Sequence, residues 1–163
     1  MWPRRKPAFL YPIPPAPRTA VLVPWFRPGG SLQVFPGWTQ EAQKFAPEAI
    51  AATLAQCEDL ARTGVPSLRH ALVVLGRPGG PYLTENHREH FWSAFRVPVF
   101  EQIIAENGQV LAAECEAHDG LHVLATWMPE NIDASACACG RKTPRWFPEG
   151  HAEPIHRVAG SGG

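Results

Sequence analysis

The chain has 163 residues, which suggests one domain of ordinary size. Fifteen Lys plus Arg balance fifteen Asp plus Glu, so no net field favours nucleic acid or an anionic membrane. No apolar run reaches the roughly 18–20 residues of a bilayer-spanning helix, and early prolines interrupt any signal-peptide core. The expected location is therefore the cytoplasm, where clustered cysteines read as metal ligands rather than disulfides.

Eighteen prolines and fourteen glycines exceed ordinary usage, and most of the excess lies before Pro47 and after Pro144. Residues 1–45 read as a Pro-rich arm, 46–147 as a compact α/β zinc-binding domain, and 148–163 as a flexible tail. The short basic cluster Arg4-Arg5-Lys6 reads as solvated. Proline removes a donor and fixes φ, so the arm is expected to be extended and kept out of the interior of a sheet. Its aromatics (Trp2, Phe9, Tyr11, Trp25, Phe26, Phe35 and Trp38) are too many for a plain linker. They predict packing along the domain surface or onto a protein partner.

Within the domain, Pro47 to Thr63 reads as a helix ended by Gly64. Ile50, Leu54, Cys57 and Leu60 make its apolar stripe, with Cys57 as a small buried hydrophobe. Leu68 to Leu75 reads as a strand buried on both faces. The loop Gly76-Arg77-Pro78-Gly79-Gly80 has no Walker pattern and reads as a plain connection. Thr84 caps a helix over Glu85–Phe95 whose core face is Phe91 and Phe95 with Trp92 beside them. Its polar residues Glu85, His87, Arg88, Glu89 and His90 are expected to face solvent. Val97 to Phe100 is the next strand, which completes a right-handed β–α–β unit. Asn107-Gly108 then predicts a type I′ hairpin leading to a strand over Gln109–Glu116. Asp119-Gly120 predicts a second tight turn before a strand over Leu121–Trp127. The expected fold class is α/β: a small parallel layer continuing into an antiparallel hairpin region with a zinc staple.

The chemistry concentrates in Glu114 to Arg145. Cys115 and His122 flank the second turn, and Cys137-Ala138-Cys139-Gly140 follows fifteen residues later. Tetrahedral zinc takes four such soft ligands, and four protein ligands leave no open position, so the site is expected to be structural. The chosen set is Cys115, His122, Cys137 and Cys139, with His118 as the substitute imidazole. Free thiols on a loop, or a disulfide, are the alternatives. Arg141, Lys142 and Arg145 follow closely and read as surface charge that can also grip an anion.

The segments Ser67-Leu68-Arg69 to Gly76, Phe95 to Phe100, Glu114 to Val123 and Cys137-Ala138-Cys139-Gly140-Arg141 to Arg145 resemble the phenylacetate–coenzyme A ligase family of adenylate-forming enzymes. The resemblance covers about 67–145 and implies structural zinc on the same Cys/His set. It also marks departures. No Ser/Thr/Gly-rich phosphate loop is present, Phe100-Glu101-Gln102-Ile103-Ile104 stands where a Tyr-Gly-x-Thr-Glu motif is expected, and Gly76-Arg77-Pro78 stands at the adenine-packing turn. No counterpart of the hinge aspartate or the lid lysine follows Arg145. ATP binding is therefore not expected. The sequence predicts a non-catalytic zinc-binding accessory protein with a protein partner on its aromatic arm. The alternative is a divergent acyl-adenylate or coenzyme A ligase subunit completed by a second chain.

Overall fold

A computed structural model describes residues 4–65 and 68–148. Trp2, Ser67 and, apart from Pro148, the expected tail lie outside the described residues. The architecture is one mixed sheet of nine strands with helices on one face. In chain order the elements are β1 Thr19–Val21, β2 Leu32–Val34, α1 Gln40–Phe45, β3 Ala49–Thr53, α2 Leu54–Thr63 and β4 Ala71–Gly76. There follow α3 Glu85–Phe95, β5 Val99–Ile104, β6 Val110–Glu114, β7 Leu121–Val123, β8 Ile132–Asp133 and β9 Arg145–Trp146. The order across the sheet is β2-β1-β3-β4-β5-β6-β7-β9-β8. It is parallel through β5 and antiparallel from β5 onward. The expected change from a parallel layer to an antiparallel region is present, in a much larger sheet.

The enlargement comes from residues read as an arm. β1 lies between β2 and β3, inside the sheet, with Ala20 and Val21 fully buried. Thr19-Ala20-Val21 contains no proline, and the prolines on either side fall in the connections, so no ladder donor is lost. The division expected at residue 45 thus falls within a continuous sheet. The aromatics have a clear role. One sheet face packs Leu22, Ile50, Leu72 and Val74 under α1, α2 and α3. The other, with Val21, Val73, Leu75 and Phe100, is covered by Phe9 and Phe26, with Tyr11 and Trp25 packed beside them. Phe9 and Phe26 meet edge to face at 5.4 Å. Each buried aromatic of this kind contributes about 1.5–3 kcal/mol of apolar burial. The segment does what a second helical layer does in a doubly wound sheet.

The helix expected over 47–63 is two elements. Ala49, Ile50, Ala51 and Ala52 form a strand with no exposed surface, squeezed between both packed faces. Alanine's helix preference is outweighed there by ladder bonds to β1 and β4. The helix starts only at Thr53, whose hydroxyl accepts from Gln56 N while Gln56 Oε1 accepts from Thr53 N, a capping box. Its end at Gly64 and the full burial of Cys57 agree with expectation. α3 also matches, capped by Thr84, although Trp92 is half exposed and only Phe91 and Phe95 face the core.

The Asn107-Gly108 hairpin has a different turn from the expected type I′. Only Gly108 has positive φ, at 86°, and the register shifts between Ile103 and Ile104. Gly108 N donates to the Ala105 carbonyl at 2.9 Å, and Asn107 Oδ1 accepts from Gln109 N. This is the pattern of an ordinary turn followed by a left-handed glycine and a bulge. Gly108 also sits against the early chain: a Cβ there would lie 2.8 Å from Pro7 Cγ and 2.9 Å from the Trp25 carbonyl oxygen. Gly79 has φ of 93° but nothing within 4 Å. We expect Gly108→Ala to destabilise the domain by more than about 2 kcal/mol and Gly79→Ala by about 1 kcal/mol, read from urea unfolding. Equal costs at the two positions would show that Pro7 and Trp25 do not pack on this turn.

Candidate metal centre

The four expected ligands converge. Cys115 directly follows β6 and opens a tight turn in which His118 N donates to its carbonyl at 3.0 Å. His122 lies in β7, opposite Ala113 of β6, so the hairpin places both groups at one end of the sheet. Cys137 and Cys139 approach from the turn closed by Gly140 N donating to the Cys137 carbonyl, with Gly140 at φ of 86°. One ligand atom from each of the four lies within 4.8 Å of the others, so the cluster can hold a metal ion.

The spacing is informative. With sulfur at about 2.3 Å and nitrogen at about 2.0–2.1 Å from a tetrahedral ion, neighbouring ligands stand roughly 3.8 Å apart for S···S and 3.6 Å for S···N. Cys115 Sγ and Cys137 Sγ are 3.7 Å apart, and Cys139 Sγ and His122 Nε2 are 3.4 Å apart. A disulfide needs about 2.05 Å, so the Cys115–Cys137 pair is not one; all four cysteines are free.

Burial and neighbouring groups act differently on the members of the cluster. Burial pushes the Cys115 thiol up to about 12, helped by its neighbours Cys139 and Cys137 and opposed by the Ala117 N–H. Desolvation also raises Cys139, but the Arg141 N–H, the other two thiols and the Arg141 charge outweigh it and lower that group below its ordinary value. His122 is lowered by desolvation first, then by the charges of Arg141 and Arg145. Its Nδ1 lies 2.7 Å from the Thr143 hydroxyl and 3.2 Å from the Thr143 carbonyl. A carbonyl can only accept, so Nδ1 carries the proton and the Nε2 lone pair faces the sulfurs. Burial holds the proton on Cys115, and a bound divalent ion would displace it.

His118 is not part of the cluster. It is a third exposed, packs on Phe100 with tilted rings 4.6 Å apart and lies 3.6 Å from Glu114 Oε1. The surface reading fails for Arg145, which is fully buried, whereas Arg141 is exposed and pairs with Glu116 at 3.6 Å. The sequence reading missed a buried charge group below Cys115. Arg88, expected to face solvent, reaches inward to Glu114 Oε1 at 2.9 Å and lies 4.0 Å from Glu101 Oε2. Both carboxylates are almost completely buried; Glu101 accepts from Leu83 N and Glu114 from Glu101 N. The available signal was the two acids within otherwise apolar strands, since a buried carboxylate demands a cation.

No family model and no curated protein matches the chain. The solved structures do provide a likeness of fold. In particular, the chain is similar to 2-hydroxyisobutyryl-CoA ligase, seen in an open conformation with 2-HIB-AMP and CoA. The TM-score is 0.57 at 14% identity, over 82% of this chain and 44% of that one. The chain thus spans less than half of that ligase's length, and the likeness is one of fold.

Cys137→Ser is expected to abolish metal uptake and destabilise the domain severely. Cys57→Ser should leave metal content unchanged and cost about 1–3 kcal/mol, the price of burying a hydroxyl. Metal analysis and urea unfolding of the two variants check this; equal effects would count against the site.

Proposed function

We propose that the protein is a non-catalytic accessory module of the adenylate-forming ligase fold, with structural zinc on Cys115, His122, Cys137 and Cys139. In this reading it is a relative of the phenylacetate–coenzyme A ligases that works in the cytoplasm by binding another protein. Zinc is the ion best suited to a closed tetrahedral site of three thiolates and one imidazole.

The observation that supports a non-catalytic role is the rim above β4 and β5. In open α/β sheets ligands bind beyond the carboxyl ends of the parallel strands. Here Arg77, just past β4, donates Nη1 to the carbonyls of Ile104 and Ala105 at the end of β5. Its guanidinium lies 3.7 Å over the Trp25 ring, and the Gly108 turn packs on Pro7 beside it. In this reading Arg77 and Trp25 occupy the rim at which a nucleotide would have to be held and its charge neutralised. For the partner, the outer side of the early segment offers the half-exposed Leu10 and Ile13, while the aromatics among its described residues pack against the sheet core. Among the described residues no helix is long and apolar enough to cross a membrane. The second reading, a ligase subunit completed by another chain, is favoured by the likeness to less than half of a coenzyme A ligase.

The test is pyrophosphate release with magnesium ATP and a panel of aromatic, aliphatic and 2-hydroxy acids. We expect none above background and no calorimetric signal for ATP. Release by the pure protein would overturn the proposal, and release only upon addition of a second protein would establish the subunit reading.

A further inference from the structure

We propose that Arg145 is the positioning residue of the metal centre, holding its three ligand-bearing segments assembled before any ion arrives. These segments are the turn between Cys115 and His122, the β7 strand carrying His122, and the chain leading to Cys137 and Cys139. Arg145 touches all three. Through the sheet it is the register partner of His122 in β7 and of Asp133 in β8. Through its side chain, Nη1 donates to the Asp119 carbonyl at 3.1 Å and to the Asp119 carboxylate. Nη2 donates to Ser135 Oγ at 3.0 Å and lies 3.6 Å from Asp133 Oδ2.

The chemistry favours arginine at this place. A guanidinium is a planar fork of five donors, so one rigid group satisfies acceptors on separate segments. Here those acceptors sit three residues before His122 and two before Cys137. The side chain is fully buried, so its charge and bonds are little screened. The neighbouring strands are too short to do this work: β7 has three residues, and β8 and β9 have two each.

The experiment uses the full chain stripped of metal and titrated with Co2+, and with Zn2+ in competition with a chromophoric chelator. The variants are Arg145→Gln, Arg145→Lys and Ser135→Ala; the last removes a single bond from an exposed residue and preserves folding. We expect Arg145→Gln to weaken both ions about 10–100-fold and to alter the tetrahedral Co2+ spectrum. Arg145→Lys should fall between it and the wild type, and Ser135→Ala should weaken binding several-fold at unchanged metal-free stability. Should Arg145→Gln fail to fold, the other two variants decide. Wild-type affinities and spectra in the folded variants would overturn the proposal, as would equal destabilisation of metal-free and loaded protein. The inference rests on the metal-centre reading, and wild-type protein that takes up neither ion would overturn both.

Discussion

Three sulfurs and an imidazole nitrogen held within 4.8 Å of one another form a group that can hold a metal ion, and a cation there would neutralise their crowded charge. On the proposed reading, the antiparallel end of the sheet depends on this group. β7, β8 and β9 are two or three residues long, and the apolar cluster beneath them is the smallest of the three. Strands of that length do not stand alone in water. Structural zinc sites in small peptides supply roughly 10–16 kcal/mol of apparent binding energy, far more than such strands contribute by packing. The parallel end has two fully covered faces and needs no such device.

The two ends meet at β6. Glu114 closes that strand and accepts the inward-turned Arg88 of α3, while the next residue, Cys115, enters the metal cluster. The charge group ties the helical layer to the hairpin region at the point where metal ligation begins. Removing one partner of a buried ion pair typically costs 3–5 kcal/mol, because the other charge is left stranded. Beyond the ends of β4 and β5, Arg77 lies over the Trp25 ring and donates to the Ile104 carbonyl.

The metal ligands were legible because their spacing is a local signal: a Cys and a His flanking one turn, then a Cys-x-Cys closed by glycine. α3 was legible for the same reason, through Thr84 and the Phe91/Phe95 spacing. β3 was not, since Ala-Ile-Ala-Ala carries a helical preference that only burial between two layers reverses. β1 and β2 were hidden by the prolines around them, which exclude strands only at the positions they occupy. Arg145 was taken for a surface charge because nothing local reveals that Asp119, Asp133 and Ser135 surround it. Long-range pairing of this kind is a property of the assembled sheet.

The central claim is that the antiparallel region is stapled by zinc. The most direct measurement is elemental analysis of the purified protein, with thermal melts before and after a strong chelator. The account predicts one zinc per chain and a fall in Tm of more than about 10 °C on chelation, since a domain of this size moves about 2–4 °C per kcal/mol. Protein without metal whose melt ignores the chelator would contradict it and reduce Cys115, Cys137 and Cys139 to ordinary buried thiols.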